Sequence, residues 1–542
     1  MPIEPLPEPV LSSQPPRSGP ESLSPFLPLK RPVFRMLWSV WLTANIAMWM
    51  NDVASAWMMT SMTASPIWVA LVQTASTLPV FLLGLPSGAF ADILDRRRYF
   101  ILTQFWVAAV AIILSVAVLA DLMTPWLLLA LTFANGIGLA MRWPVFAAIV
   151  PDLVPRPELP AALALNGIAM NASRIVGPLI AGAIIASAGS AYVFILNALM
   201  SLICGFVIMR WRYERVPSTL ERERLISAMR VGIQFVRQSS RLKAVLLRIF
   251  LFFFHSTALL ALLPLVARGL QGGDAGTFTV LLASMGSGAI VAAMFLPRLR
   301  RLMSRDALVV RGATLQSAST LVVAFAPNVY VAVAAMFFAG MAWITTANSL
   351  SVSAQLGLPD WVRARGMSMY QMAIMGASAT GAAVWGQVAT LQTVQISLAI
   401  AAVTGTVAML AAERFAVDRD IEEDLTPSRQ LKAPVLDLPI QKSNVVVTIE
   451  YVIDPRHATE FQQLMQESRR SRLRQGALKW DLLHDIAQPG RYIEQIVDES
   501  WTEHLRRFDR VTASDVALRE RKLAFHIGDA APLVTRYMIE NG

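Results

Sequence analysis

Charge is what this chain has least of. Asp, Glu, Lys and Arg make up 15% of its 542 residues, where a soluble domain carries about 25%. With 55% hydrophobic residues and a mean hydropathy of +0.51, the deficit excludes a purely soluble protein. Cysteine is nearly absent. Cys204 alone excludes an intramolecular disulfide and, inside an apolar run, reads as packing filler. Histidine is sparse too, and four of the five, His457, His484, His504 and His526, fall late in the chain. Their spacings of 27, 20 and 22 residues match no metal-ligand pattern, so neither a metal nor a cofactor is expected. No Gly-x-x-x-x-Gly-Lys-Ser/Thr phosphate loop occurs, which excludes an ATPase within the chain. Any driving energy would come from an ion gradient.

Long apolar runs, by contrast, are plentiful. A membrane span needs about 20 mostly apolar residues, and twelve such runs occur. Six lie near 36–60, 67–91, 99–120, 125–150, 161–187 and 190–211, and six near 244–267, 276–297, 307–326, 328–353, 364–389 and 393–413. The expected fold is an all-α polytopic membrane protein of 12 transmembrane helices in two six-helix halves, residues 31–212 and 244–413.

Loop charge sets the orientation. One set of loops holds Lys30, Arg31 and Arg35; Arg96, Arg97 and Arg98; Arg156; nine basic residues from Arg210 to Lys243; Arg298, Arg300, Arg301, Arg305 and Arg311; and Arg363 and Arg365. The alternate loops hold one basic residue, Arg268. The positive-inside rule puts the basic set in the cytoplasm, with both termini there. It also assigns the net charge of +10 to a lipid bilayer rather than to nucleic acid.

Residues 1–30 are rich in Pro and Ser without an apolar core or cleavage pattern, and read as a disordered cytoplasmic tail, not a signal peptide. The connector 213–243 contains an amphipathic stretch, Leu220 to Arg237, with Leu225, Met229, Gly232, Ile233 and Val236 at helical spacing. It is expected to lie along the membrane surface. A weak internal echo supports two halves: Pro151 to Leu165 and Leu358 to Met372 each place a polar Pro-containing loop directly before a span, as repeated transporter halves do.

After a charged linker, 414–442, the character changes. Asn444 to Ile453 alternates like a strand, and Pro455 to Gln475 reads as a helix. Lys479 to Ala487 and Arg491 to Glu499 flank the turn Gln488-Pro489-Gly490, a hairpin signal. Trp501 to Phe508 and Ser514 to His526 are helical, and Pro532 to Ile539 can close the sheet. This β-α-β-β-α-β order predicts a small soluble α+β domain of ferredoxin-like topology over 443–542, read as a regulatory or dimerising module.

Few residues carry chemistry. Asp52 lies inside the first span, where an acid costs roughly 2.5–3.5 kcal/mol on insertion scales and is a functional candidate by default. It reads as a proton carrier or as a structural acid paired with a buried Arg. Arg142 and Arg174 are intramembrane cations suited to pair with Asp52 or to hold an anionic substrate. Arg248, near the basic end of its span, can snorkel. His255 is the one His among the spans, a candidate for proton coupling or a hydrogen-bonded core residue.

Two motifs carry a resemblance. Gly88, Asp92, Arg96 and Arg97 fit the loop between helices 2 and 3 of the major facilitator superfamily, Gly-x-x-x-Asp-x-x-Gly-Arg-Arg/Lys, with Asp95 where a second Gly is usual. Gly177, Pro178 and Gly182 resemble the helix-five Gly-Pro motif of drug-exporting members, where Pro and small residues give a pliable, closely packed helix. Trp49 to Met59, Ser61 to Pro66, Gln73-Thr74-Ala75, Ala354-Gln355, Pro359 to Gly366 and Glu499 to His504 look like the bacterial transmembrane secretion effector branch, related to the enterobactin siderophore exporter. The resemblance implies a bacterial inner-membrane carrier exporting a small amphiphilic molecule, such as a siderophore, drug or secondary metabolite, in exchange for protons. The chain is not expected to be an enzyme. The rival readings are a membrane-tethered enzyme or a ligand sensor whose C-terminal domain carries the main activity. The loop of Gly88 and Asp92 is expected to gate against Arg363 and Arg365 of the opposite half, with Asp92 contacting Arg365 or its helix N-terminus.

Overall fold

The computed structural model describes residues 26–93, 95–211, 225–415, 424–428, 430, 434, 443–528 and 530–540. Residues 1–25 of the expected tail (1–30), residues 212–224 before and within the connector and most of the linker lie outside the described residues. So do the surroundings of Gly88 and Asp92. The end of the expected tail, Leu27–Lys30, is a 3-10 helix rather than disordered.

Long helices dominate. They are α1 (Pro32–Met62), α2 (Pro66–Ile93), α3 (Arg96–Leu119), α4 (Pro125–Leu153), α5 (Leu159–Ser187), α6 (Ser190–Arg210), a shorter α7 (Leu225–Gln238), then α8 (Ser240–Gly269), α9 (Ala275–Leu302), α10 (Arg305–Ala324), α11 (Val329–Leu356), α12 (Asp360–Leu391) and α13 (Val394–Ala412). Among the described residues, ten helices are long and apolar enough to cross a membrane. α1 and α12, of 31 and 32 residues, fall outside those ten. Side-chain caps start the helices between short loops: Thr124 accepts from Leu127, Ser304 from Ala307, Asn328 from Val331 and Thr393 from Ile396, each through backbone N–H.

One cap resolves an oddity of the sequence. Asp95 Oδ1 accepts the backbone N–H of Arg98 at 2.8 Å and serves as the α3 N-cap. A Gly there would leave the orphan donor to water, so the residue unusual for the loop motif has a local structural reason.

Two sets of helices, α1–α6 and α8–α13, share a core at one end only. There Met50, Val53, Leu114 and Phe194 pack in one cluster with Leu259, Leu263, Phe278 and Met336. At the opposite end, which carries the basic loops, the cores are separate. One is built from Phe34, Trp41, Phe100 and Phe146 of α1, α3 and α4; the other from Val245, Ile249, Val309 and Tyr370 of α8, α10 and α12. α2 follows α12 closely: the Ile67 N–H donates to Thr390 Oγ1 at 3.0 Å, Thr74 Oγ1 donates to the Ala379 carbonyl at 2.9 Å, and Gly386 lies against Ala70. Arg268 closes the shared end, donating to the Thr60 carbonyl with its guanidinium 5.5 Å from the Trp57 ring centroid.

The C-terminal region contains β1 (Val445–Val452), α14 (Ala458–Arg474), β2 (Lys479–His484), β3 (Arg491–Asp498), α15 (Trp501–Asp509), α16 (Ala513–Leu523) and β4 (Leu533–Met538). The strands form an antiparallel sheet in the order β2-β3-β1-β4. Burial alternates along β3, the period of a half-covered strand, and its inward Tyr492 and Ile496 pack with Phe461, Met465 and Trp501. Glu494 is fully buried yet satisfied: Lys522 Nζ (3.1 Å), Ser468 Oγ (2.7 Å) and Trp480 Nε1 (3.0 Å) all donate to it. Burial pushes this carboxyl up, but Lys522, Arg472 and the hydrogen bonds outweigh it and hold it well below the ordinary range.

α7 departs from expectation. Part of its apolar side is covered by protein, while Ile233 stays exposed. Val231 and Phe235 are buried, Phe235 edge-on to Trp361 of α12 at 5.7 Å. Gln234 Nε2 donates to the Ala477 carbonyl at 2.7 Å, and Arg230 pairs with Glu499 at 2.7 Å. Gly476 adopts φ +109°, and a Cβ there would meet Arg510 Nη1 at 2.7 Å and Val231 Cγ2 at 3.1 Å, so glycine permits both the turn and the close approach.

Candidate functional site

The central feature lies midway along three helices. Arg174 of α5 has its guanidinium 4.2 Å from the ring centroid of Trp343 in α11 and 5.3 Å from that of Trp49 in α1. The cation thus joins the two helix sets through ring faces. Its Nε is buried and without a hydrogen-bond partner, as is Trp49 Nε1. Asp52, three residues beyond Trp49 and so on the same α1 face, accepts a hydrogen bond from Ser76 Oγ of α2 at 3.1 Å.

Of the two roles expected for Arg142 and Arg174, pairing with Asp52 is not formed among the described residues. Arg142 is 2% exposed, donates to the Ala44 carbonyl at 3.2 Å, and lies 5.5 Å from the Trp41 ring centroid. Ala44 precedes Asp52 by eight residues, roughly 12 Å along a helix. Neither Arg142 nor Arg174 pairs with an acid among the described residues. What unites the candidates is α1, whose Trp41, Ala44, Trp49 and Asp52 recur at three- to five-residue spacing and meet Arg142, Arg174 and Ser76 in turn.

The other candidates are dispersed. His255 of α8 bonds the Leu251 carbonyl through Nδ1 at 2.7 Å and packs against Trp385 at 5.6 Å. It borders a cavity of about 20 Å³ with Gln316 and Thr320, room for about one water. Arg248 does not snorkel: it is fully buried, ion-paired with Asp306, and donates to the Ala412 carbonyl at 3.2 Å. That arrangement clamps α8 to α10 and α13.

The helix-five motif has a packing reason at each glycine. A Cβ at Gly177 would meet Trp49 Cβ at 2.6 Å, and one at Gly182 would meet Thr279 Oγ1 at 1.6 Å. Gly177 therefore seats Trp49, while Gly182 brings α5 against α9 of the other helix set, with Pro178 between them inside the helix. Of the loop motif, Arg97 donates to the Met209 carbonyl, tying α3 to α6. Arg96 and Arg363 are also engaged, Arg363 toward the Leu358 carbonyl at 3.5 Å. Arg365 lies along Gly232 of α7, with a Cβ-to-Cβ approach of 3.2 Å were Gly232 substituted. The expected Asp92–Arg365 contact lies outside the described residues. Trp343 and Ser76 were not legible as site residues; both stand in apolar runs, and their partners come from distant helices.

A bundle of long apolar helices in two sets, joined at one end and parted at the other, with charged side chains in its middle, defines a membrane transporter. The chain belongs to the transmembrane secretion effector family, which it matches over residues 23–542. It is 24% identical to macrolide efflux protein A of Streptococcus pyogenes over 271 residues, 48% of this chain and 65% of that protein. It is 22% identical to the staphyloferrin A transporter of Staphylococcus aureus over 255 residues, 46% of this chain and 63% of that protein. These matches therefore span less than two thirds of either relative. Among solved structures, nucleoside transporter NupG superposes with a TM-score of 0.59 at 12% identity, covering 71% of this chain and all of that one. An inward-facing, unoccupied bacterial homologue of the lysosomal transporter Spinster gives 0.55 at 14% identity, covering 71% and 95%. At such identities the likeness is one of fold: that of the major facilitator superfamily.

Proposed function

We propose that this protein is a proton-coupled exporter of a small amphiphilic molecule, working by alternating access. The observation that carries the reading is that the core clusters shared by both helix sets lie at one end of the bundle, against two separate cores at the basic end. On this reading α1–α6 and α8–α13 are twelve spans in two rocking halves, and the basic end faces the cytoplasm with both termini. The chain resides in a bacterial inner membrane and is held here in its inward-open state. Asp52, hydrogen-bonded to Ser76 and with no arginine partner among the described residues, carries the proton. Arg174 offers a central cation to an acidic group on the substrate, and the aromatic rings of Trp49 and Trp343 give its apolar part a face to stack on. The efflux relatives and the Gly-Pro motif favour export, and siderophores and drugs are the substrate classes to test. The C-terminal unit, of ferredoxin-like strand order, acts as a docked regulatory or dimerising module.

The test is spin-label distance measurement at both ends. Ser61→Cys with Gln271→Cys reports the shared end, and Arg98→Cys with Arg301→Cys the basic end. Acidification or substrate should lengthen one distance while shortening the other. Distances unmoved at both ends under every condition would overturn the alternating-access reading.

A further inference from the structure

Beneath the C-terminal unit lies a second cavity, of about 690 Å³, that none of the residues discussed above as transport candidates enters. Its volume falls within the range of about 300–1,000 Å³ typical of small-molecule sites. One wall is the turn from α7 into α8, with Ser239, Ser240 and Arg241; the other is built from α14 and α16, with Arg470, Arg474 and Arg521. Among the described residues, four guanidinium groups thus face two carboxylates, Glu467 and Asp515, a surplus of two positive charges. Both acids are already engaged. Glu467 pairs with Arg521, and Asp515 accepts from the Thr512 N–H at 2.9 Å and from its hydroxyl at 2.8 Å.

Arg241 is the informative member. Its Nε and Nη2 are buried and have no hydrogen-bond partner, a costly state for a guanidinium, which an incoming anion would relieve. The residue sits in the first turn of α8, a helix of 30 residues, whose positive end adds to the attraction. Arginine forks match the oxygen geometry of phosphate.

We propose that this cavity binds a phosphate-bearing anion, and that the bound anion fastens the C-terminal unit to the membrane helices. Arg241 comes from the helical bundle, whereas Arg470, Arg474 and Arg521 come from the C-terminal unit, so the complete site exists only when the two are docked. The same chemistry is offered by a soluble organic phosphate and by an acidic lipid headgroup.

The experiment uses the full-length protein. In detergent, inorganic pyrophosphate should raise the unfolding temperature; in nanodiscs without pyrophosphate, phosphatidylglycerol should do so relative to phosphatidylcholine. A response to pyrophosphate assigns a soluble ligand, and a response to phosphatidylglycerol alone assigns a headgroup; either supports the site. Arg241→Gln, and separately the exposed Arg470→Gln, should each weaken the response by about tenfold, the loss of one charge-assisted contact. No response to either probe, or a response that both variants retain in full, overturns the proposal.

Discussion

The guanidinium of Arg174 lies over the ring of Trp343, 4.2 Å from its centroid, and this pair links a helix of the first set to one of the second midway along both. An exposed cation–π contact is worth about 0.5–1 kcal/mol and a desolvated one about 2 or more. In the proposed cycle it stabilises the state with the shared end closed and is broken when that end opens. Trp343→Leu should therefore raise the population open at the shared end by roughly 5–30-fold, the equivalent of one to two kcal/mol. Thiol labelling of Gln271→Cys is a suitable readout, and unchanged labelling would deny the contact any role in gating.

Gly182 makes a steric prediction at the same interface. Any side chain there meets Thr279 Oγ1, and overpacking of this kind costs typically 1–3 kcal/mol. Gly182→Val should separate α5 from α9, slow transport and lower the unfolding temperature. Adding Thr279→Ala should return part of both losses, because it removes the atom in conflict.

Arg248, fully buried, and its partly buried partner Asp306 give a stability prediction. Removing one partner leaves an uncompensated charge and costs about 3–5 kcal/mol in soluble proteins. Asp306→Asn or Arg248→Met should each lower the unfolding temperature markedly, while the double variant Arg248→Met/Asp306→Leu should lie closer to wild type. A double variant worse than the sum of the two would contradict this reading of the pair.

How much of this was legible beforehand follows from where each signal resides. Spans are written locally, in apolar length and in loop charge, so the helix positions follow from the chain. The strand alternation of Asn444 to Ile453 and the turn at Gln488-Pro489-Gly490 are equally local. Partners are not local. Nothing around Trp343 announces Arg174, and nothing in the amphipathic pattern of α7 says that Phe235 packs on Trp361 of α12 and Val231 against the turn at Gly476. The partner of Arg248, Asp306, lies on a different helix, so its burial is not written near it in the chain. Asp95 departs from the loop motif for a reason equally out of reach of the pattern: its carboxylate accepts the Arg98 N–H.

That cap makes its own prediction. Asp95→Ala should cost about 1 kcal/mol and Asp95→Gly only a few tenths. Neither should change transport beyond what the stability loss explains, as measured by unfolding temperature alongside flux.

The C-terminal unit should loosen in acid. Asp498 is pushed up by burial but held below the ordinary carboxylate range by Arg507 and His504. His504 is held below the ordinary histidine range mainly by burial. For both groups, and for Glu494, the unfolded chain takes up protons before the folded one does. Stability is therefore full above the unfolded values and falls with pH, first below about 6.5 for the histidine and then below about 4 for the carboxylates. Hydrogen exchange along β3, corrected for intrinsic rates, should show protection falling through both windows; protection rising on acidification would reverse the sign argued here.

In the proposed cycle a proton carried by Asp52 drives uphill export. Proteoliposomes with an imposed pH gradient, loaded with a substrate found by screening siderophores and dyes, test it most directly. Wild-type protein should accumulate substrate against its gradient, whereas Asp52→Asn should lose that accumulation yet retain substrate exchange without a pH gradient. Undiminished uphill transport by Asp52→Asn would contradict the account.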